Sequence, residues 1–224
     1  MGKAVPMRKS DIIQWDKSNW ERALYFLDKN KNKQFENKDV LELGSGDGSL
    51  SFWAARAGAR VICSDILKPK TSILNQLYNE KISFEIIDAL EIPYKNHYDF
   101  IIFKSLLGGI GRHDNVEKQL IVMKQIKKSL KTGGQCLFIE NMKGTILHQI
   151  YRNRYGSGKN KWNYPSLKNF KDLSKIFGHT QFCSFGLLGS TRKLGKIFRK
   201  NFDIKFDQVF PSSWHYIYAG IYQK

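Results

Sequence analysis

A glycine-rich turn surrounded by carboxylates is the stretch best equipped for chemistry. Residues 40–48 read VLELGSGDG, an apolar run followed by three alternating glycines, with Glu42 before the turn and Asp47 inside it. Glycine carries no side chain, so the backbone of such a turn can approach a ligand closely. The pattern predicts a ligand-binding loop between a buried strand and a helix.

A third carboxylate narrows the kind of ligand. Asp65 ends the next apolar run, RVICSD, at the distance where nucleotide-binding units place an acid on a ribose hydroxyl. A nicotinamide dinucleotide would require G-x-G-x-x-G, but Gly48 is one position early, and acids beside the loop would repel pyrophosphate. No G-K-[ST] follows, which excludes a phosphate-binding P-loop. We therefore expect a ligand that contains ribose and positive charge.

The loop resembles the first motif of class I S-adenosylmethionine-dependent methyltransferases, [DE]-x-G-x-G-x-G. The resemblance continues at SDI (64–66), IIDAL (86–90), FKSLL (103–107) and LKTGGQCLFIEN (130–141). It implies S-adenosyl-L-methionine as the cofactor, with Asp65 on the ribose hydroxyls, Asp88 on the adenine amino group, and no metal. The cofactor-binding residues that it implies are Trp15, Glu42, Gly44, Ser45, Gly46, Asp65, Ile66, Asp88, Ala89, Lys104 and Ser105. Ordinary core packing is the alternative for Trp15. For Lys104, a role of the backbone is favoured over a side-chain contact to the cofactor carboxylate.

Two histidines are the candidates for a catalytic base. Methyl transfer from a sulfonium is an in-line displacement, so positioning supplies most of the catalysis. A hydroxyl acceptor also benefits from a general base, and histidine is the usual choice near neutral pH. His113 follows the fourth predicted strand and His215 precedes the last one, which puts both on the cofactor side of the sheet. A purely structural role remains the alternative for each.

Alternating strands and helices must position these residues. The alternation predicts an α/β fold, a Rossmann-like doubly wound sheet that is mostly parallel. The runs DIKFDQVF (203–210) and HYIYAGIY (215–222) are joined by PSSW, and a short connection makes two strands antiparallel, so the last strand is expected to be reversed. The other predicted strands are 40–44, 60–65, 83–88, 98–105 and 135–141, and the helices between them are 49–58, 71–81 and 115–134.

The chain is expected to form one methyltransferase domain, 1–224. Its segment 142–200 interrupts the alternation, with helices predicted at 144–155 and 166–177, and is interpreted as a substrate-recognition insertion. Within it, YRNRYGSGKNKWNYP mixes cations with aromatic rings, a combination that can bind a sugar nucleotide, a phosphorylated sugar or single-stranded RNA. The alternative is that this stretch is only a solvated loop. The other parts are a helical cap, 1–38, the cofactor-binding core, 39–141, and a C-terminal strand pair, 201–224.

The net charge of +17 favours anionic partners but does not choose among them. An AT-rich genome would also produce a lysine-rich chain. The basic stretch at 188–200 could lie on an anionic membrane or bury its apolar face in the core. The sequence contains no apolar run of transmembrane length and no signal peptide, so we expect a cytoplasmic protein, with a position at the inner face of the membrane as the alternative. Its three cysteines lack the spacing of a zinc site.

The acceptor is the least determined feature. QWDKSNWERAL, FKSLLGGIGR and PSSWHYIYAG resemble methyltransferases of bacterial surface-polysaccharide gene clusters, which implies a sugar or other small hydroxylated acceptor, nucleotide- or lipid-linked. No D/N-P-P-[YFW] motif is present, which disfavours methylation of base amino groups. The alternatives are an RNA methyltransferase, which the charge favours, and a cofactor-binding partner subunit without catalysis.

Overall fold

Most of the chain is described by a computed structural model. Trp15 and the stretch at 188–200 lie outside the described residues, as does most of the predicted helix at 71–81. The described residues are 17–70, 72, 75, 76, 80, 82–155, 161–187 and 202–224.

A seven-stranded mixed sheet forms the centre of the fold. Its strands are β1 (Asp39–Leu43), β2 (Arg60–Asp65), β3 (Ser83–Ile86), β4 (Tyr98–Lys104), β5 (Leu130–Asn141), β6 (His179–Phe185) and β7 (Ile217–Gln223). They lie in the order β3-β2-β1-β4-β5-β7-β6. β7 is antiparallel to both of its neighbours, and the other pairs are parallel. The predicted doubly wound sheet with a reversed last strand is confirmed.

Helices cover both faces of this sheet. They are α1 (Lys17–Asn30), α2 (Ser49–Arg56), the single turn α3 (Leu107–Ile110), α4 (Val116–Ser129), α5 (Ile146–Tyr155) and α6 (Leu167–Ser174). α1 and α2 pack on the Val40 side of β1, and α4 and α6 pack on the Leu41 side. Within the described ranges, no helix is both long and apolar enough to cross a membrane.

The helical spacing of apolar residues explains how α1 attaches to the sheet. Trp20, Ala23, Leu24 and Leu27 recur at intervals of three and four residues, and none is more than 3% exposed. This spacing places them on one face of the helix. Burial of each large side chain stabilises the fold by about 1.5–3 kcal/mol relative to exposure.

The predicted strand at 203–210 is wrong, because residues 202–206 are helical and the sixth strand is β6. The apolar residues of this stretch alternate in places, but its phenylalanines recur every fourth residue, which is helical spacing. Their ring centroids are 4.3 and 6.0 Å apart along the series Phe202, Phe206 and Phe210.

β6 escaped prediction because it is a polar edge strand. Its sequence is HTQFCSF, and only its last two residues are buried. An edge strand is exposed on one side and need not show a strong apolar pattern. Among the described residues, the segment 201–224 therefore contains one strand rather than a pair, and the segment 142–200 contributes a strand to the sheet.

The boundary between α4 and β5 also differs from prediction. α4 ends at Ser129 rather than near Gly134, and Leu130 already pairs with Tyr98. The Lys131 ammonium holds this stretch in extended conformation, since it lies 2.8 Å from carboxylate oxygens of both Asp39 and Asp99. The remaining boundaries differ by a few residues, as helix and strand ends commonly do.

Gly220 in β7 offers a test of the packing. A Cβ at this position would lie 2.4 Å from the Phe138 ring, so we expect Gly220→Ala to lower the free energy of unfolding by about 1–3 kcal/mol. Urea denaturation would measure the change. Gly178→Ala is the matched control, because its Cβ would meet no atom closer than 3.8 Å; equal stability of the two variants would contradict the packing.

Candidate cofactor and acceptor site

The glycine-rich loop after β1 adopts a backbone that favours glycine. Gly44, Gly46 and Gly48 have φ angles of 60°, 56° and 70°, in the left-handed region that other residues rarely enter. At Gly44 a side chain would also collide with Leu106, because a Cβ would lie 2.8 Å from its Cδ1 atom. The loop is thus bare where it meets the turn that follows β4.

Glu42 is a buried carboxylate directly under this loop. Its Oε2 atom accepts hydrogen bonds from the backbone N–H of Ser51 at 2.7 Å and from the Ser51 hydroxyl at 2.5 Å. Its Oε1 atom is buried and has no hydrogen-bond partner among the described residues. Burial raises the pKa of Glu42 to about 7. A buried oxygen without a partner is costly, so this atom is suited to a ligand's ammonium.

Lys104 brings positive charge to the same place. Its Nζ atom contacts the Ser49 hydroxyl and lies 3.6 Å from an Asp47 carboxylate oxygen. The side chain therefore reaches the glycine-rich loop, whereas the sequence favoured a role for the backbone alone. Glu42, Asp47 and Lys104 present both signs of charge at the end of β1 and β4, which matches a group with both an ammonium and a carboxylate.

The predicted ribose and adenine residues meet at the carboxyl ends of β2 and β3. Asp65 accepts the backbone N–H of Gly46 at 3.0 Å and that of Ile66 at 2.8 Å, so its carboxylate faces the glycine-rich loop. Ile66 is 62% exposed and offers an apolar surface for a flat ring. Asp88 is exposed and accepts the Leu90 N–H at 2.8 Å, while Ala89 beside it is buried.

A second buried carboxylate, Glu140 near the end of β5, holds the turn after β4. It accepts the backbone N–H groups of Leu106 and Leu107, the latter at 2.7 Å, and burial raises its pKa to about 8. Ser105 precedes these residues with a φ of 52°. Sequence reasoning missed Glu140; a lone acid in the apolar run QCLFIEN was the signal available.

The two candidate bases lie in different environments. His113 is exposed, has a φ of 55°, and donates its backbone N–H to the Lys161 carbonyl at 3.2 Å. His215 is 2% exposed, and its Nδ1 atom lies 2.8 Å from the Ser184 hydroxyl. Burial lowers the pKa of His215 although its Nε2 atom lies 3.7 Å from Asp207. His215 thus belongs to a buried polar network, and His113 is open to an acceptor.

Aromatic residues of the 142–200 segment pack onto the turn after β4. A Cβ at Gly108 would lie 3.2 Å from both the Trp162 and Tyr164 rings, so these rings rest on bare backbone. The N–H of Asn163 donates to the Gly108 carbonyl at 3.0 Å, and the Arg112 guanidinium lies 5.3 Å from the Trp162 ring centre. This part of the predicted recognition segment therefore lies beside the strand ends that carry the candidate cofactor-binding residues.

Arg152 on α5 is a half-buried cation at the same edge of the sheet. Its guanidinium donates hydrogen bonds to the Met142 carbonyl and, at 3.4 Å, to the Tyr216 carbonyl. The guanidinium carbon Cζ lies 4.4 Å from the centre of the Tyr164 ring. No carboxylate among the described residues pairs with it. Burial lowers its pKa to about 10. Its NH2 group is also 3.4 Å from Asn141, whose amide lies 3.2 Å from the Ser105 hydroxyl.

Comparison with known proteins identifies the family. A family described as a methyltransferase domain matches residues 34–200, which include the glycine-rich loop, Asp65, Asp88 and Lys104. The chain belongs to this family. It forms a methyltransferase domain of the S-adenosylmethionine-dependent kind, and the enzyme class and cofactor expected from the sequence are confirmed for this domain.

Curated relatives cover only part of the methyltransferase. Protein arginine N-methyltransferase 8-B of Danio rerio is 29% identical over 148 residues, 64% of this chain and 27% of that protein. Protein arginine N-methyltransferase 1 of Caenorhabditis elegans is 22% identical over 143 residues, 64% of this chain and 33% of that protein. The matched region thus spans a third or less of these relatives.

Solved structures share the methyltransferase's fold at low identity. Phosphoethanolamine N-methyltransferase 2 of Haemonchus contortus, in complex with phosphomonomethylethanolamine and S-adenosylhomocysteine, has a TM-score of 0.65 and 14% identity, over 92% of this chain and 52% of that one. An S-adenosylmethionine-dependent methyltransferase of Archaeoglobus fulgidus has a TM-score of 0.62 and 14% identity, over 91% and 92% of the two chains.

The methyltransferase's own residues fit its cofactor. S-adenosylmethionine supplies a methyl group on a sulfonium and carries an ammonium, a carboxylate, a ribose and an adenine. Glu42 and Lys104 would hold the charged end, Asp65 the ribose, and Ile66 and Asp88 the adenine. Among the described residues, no group of three or more His, Cys, Asp or Glu is arranged to hold a metal ion.

The ribose contact is tested by Asp65→Asn. The amide keeps the shape of the carboxylate but loses its charge, and a hydrogen bond to a charged group is worth about 1.5–3 kcal/mol. Affinity for S-adenosylhomocysteine, measured by calorimetry, should fall by roughly tenfold or more. Asp39→Asn removes a carboxylate at the opposite end of β1 and should leave the affinity unchanged; an unchanged affinity in Asp65→Asn would remove the assignment.

The pKa of Glu42 predicts a pH-dependent affinity. Because this pKa is about 7, raising the pH through 7 ionises the carboxyl and strengthens its attraction for an ammonium. Affinity for S-adenosylhomocysteine should therefore rise by about tenfold across that range, and Glu42→Gln should flatten the rise. A wild-type affinity independent of pH would contradict a contact at Glu42.

The same group predicts how stability without ligand changes with pH. The pKa of Glu42 is raised from 4.5 to about 7, so between these values the folded state binds more protons than the unfolded state. The stabilisation is full below pH 4.5 and is lost as the pH rises through 7. Urea denaturation of Glu42→Gln should show a smaller loss of unfolding free energy over this window than wild type.

Proposed function

We propose that the enzyme methylates a hydroxyl group of a small acceptor, a sugar or similar molecule, that also carries an anionic group such as a phosphate. The observation that carries this proposal is Arg152. Its guanidinium lies at the carboxyl edge of the sheet with no carboxylate partner among the described residues, and Asn141 links it to Ser105 by distances of 3.4 and 3.2 Å.

A cationic centre without a carboxylate partner favours an anionic ligand. Desolvating a charge is costly unless an opposite charge approaches it, and guanidinium recognises phosphate and carboxylate with two parallel hydrogen bonds. Arg152 uses its NH1 and NH2 groups on carbonyl and amide oxygens, and its Nε–H has no partner among the described residues. A nucleotide- or lipid-linked sugar would supply the phosphate.

An amine acceptor is the principal rival, since the relatives named above are N-methyltransferases. Their identities of 29% and 14% do not carry an acceptor across. A protonated amine would be repelled by Arg152, and nearby acids are engaged elsewhere: Glu140 by backbone N–H groups and Asp114 by the Asn163 amide at 3.3 Å. The phosphorylated ligand of the Haemonchus enzyme is consistent with an anion site.

An RNA acceptor receives less support from the site. Trp162 and Tyr164, two of the four rings in the basic stretch at 151–165, pack against Gly108, while the other two, Tyr151 and Tyr155, are exposed. Tyr164 also faces the Arg152 guanidinium at 4.4 Å. RNA binding would be strongly salt-dependent, which distinguishes it from binding of a small acceptor.

His113 is the proposed base. Its exposed side chain follows α3, beside the turn that Glu140 holds, and would accept the hydroxyl proton as the acceptor oxygen bonds to the methyl carbon and the carbon–sulfur bond breaks. Because sulfonium is an excellent leaving group, the base contributes less than positioning does.

The acceptor class is tested by measuring S-adenosylhomocysteine formation with sugar phosphates, nucleotide sugars, phosphoethanolamine and bulk RNA. Methylation of a hydroxyl on a phosphorylated sugar, located by mass spectrometry, is the expected result. Turnover confined to phosphoethanolamine or to RNA would reject the proposal and promote the corresponding rival.

Arg152→Gln tests the anion contact. Losing one charged hydrogen-bond partner should raise KM for the anionic acceptor by roughly 10-fold to 100-fold, with a smaller effect on kcat and none on affinity for S-adenosylhomocysteine. Arg154→Gln is the control, because Arg154 lies on the same helix but is exposed. An unchanged KM in a folded Arg152→Gln enzyme would show that the acceptor binds elsewhere.

His113→Ala tests the base. We expect kcat to fall by about 100-fold while the affinity for S-adenosylhomocysteine stays the same. His179→Ala is the control, since His179 begins the edge strand β6 at the opposite end of the sheet. Full activity of His113→Ala would leave positioning alone as the source of catalysis.

A further inference from the structure

α5 turns its apolar side away from the protein. Ile146, Leu147, Ile150 and Tyr155 are 74%, 78%, 58% and 64% exposed, and no residue of this helix is buried. The half-buried residues are polar ones, namely His148, Gln149 and Arg152. A surface helix normally buries its apolar face, so α5 has the reverse orientation.

The exposed apolar surface continues beyond α5. Val209 and Trp214 are 72% and 47% exposed, and a cleft of about 620 Å³ lies between Trp214 and the start of the helix. Of the fifteen large apolar side chains exposed in the described part of the chain, eight lie on α5 or at 202–214, and such concentration marks an interaction surface rather than chance exposure. The cleft lining includes Ile146, Leu147, Leu187, Phe202, Phe210 and Trp214.

Positive charge is concentrated in the same part of the chain. Residues 142–224 hold 15 of the 37 Lys and Arg but only 3 of the 20 Asp and Glu. Asp203 is buried, Asp207 pairs with Arg22 at 2.6 Å, and Asp172 lies 2.6 Å from Lys175. The acids therefore do little to offset this charge.

We propose that the enzyme docks on the surface of an anionic lipid bilayer through the face formed by α5 and residues 202–214. Leu147 and Ile150 would enter the boundary between headgroups and acyl chains. Exposed Lys143, Arg154 and Lys205 would meet the anionic headgroups. Apolar burial combined with attraction to anionic lipid is the usual basis of such binding.

This face lies at the carboxyl edge of the sheet, where the candidate cofactor-binding residues also lie. α5 begins five residues after the end of β5, and residues 202–214 lead into β7, whose Ile217 pairs with Asn141 at that edge. A membrane-linked acceptor could therefore reach Arg152 without leaving the bilayer surface. The docking itself does not depend on the identity of the acceptor.

Vesicle flotation tests the proposal. The enzyme should float with vesicles of phosphatidylglycerol and phosphatidylcholine in equal parts, remain behind with pure phosphatidylcholine, and dissociate as salt is raised. The double variant Leu147→Asp/Ile150→Asp should lose about tenfold or more of this partitioning. Ile121→Asp is the matched control, because Ile121 is 41% exposed on α4, and it should bind like wild type.

Three results would overturn the proposal. The first is failure to float with anionic vesicles, and the second is flotation that the double variant leaves unchanged. The third is an oligomer in vesicle-free buffer that the double variant dissociates, which would assign the face to a second copy of the chain. Affinity for S-adenosylhomocysteine, which should be equal in all variants, verifies that each is folded and separates a docking failure from an error about the enzyme's function.

Discussion

Two buried carboxylates hold the carboxyl edge of the sheet together, and the site depends on both. Glu42 accepts the N–H and hydroxyl of Ser51 and so fixes the start of α2 against the glycine-rich loop. Glu140 accepts two N–H groups of the turn after β4. Both pKa values are raised by burial, to about 7 and about 8. The two carboxyl groups that fix these strand ends therefore have pKa values close to neutral pH.

The arrangement of the strand, loop and carboxylates proposed to bind the cofactor was predictable because its signals are local. A strand, a glycine turn and a helix follow each other within residues 40–58, and Asp65 ends the adjacent strand, so spacing alone brings these residues together. Glu140 and Arg152 carried no such signal, because Glu140 binds backbone N–H groups of the turn after β4 and Arg152 binds groups at Asn141, Met142 and Tyr216, which no local spacing brings together. The strand predicted at 203–210 failed for a related reason, since Asp203 and Asp207 bind the backbone N–H groups of Leu187 and Gly186 at the end of β6.

Charge links the acceptor proposal to the docking proposal. The excess of basic residues lies mainly after residue 141, beyond the segment that contains the candidate cofactor-binding residues. Arg152 points inward and Arg154 on the same helix is exposed, so one helix can serve both an anionic acceptor and an anionic surface. The reversed orientation of α5 follows from this arrangement, because its polar side is occupied by contacts to Asn141 at the end of β5, to Met142 and to Tyr216.

We propose that Glu42, Asp47 and Lys104 recognise the charged end of the cofactor. The most direct measurement is a pair of calorimetric titrations of the unmodified enzyme, one with S-adenosylhomocysteine and one with adenosine, which lacks that end. Adenosine should bind at least about tenfold more weakly than S-adenosylhomocysteine, since it forfeits charged hydrogen bonds. Equal affinities for the two ligands would contradict it.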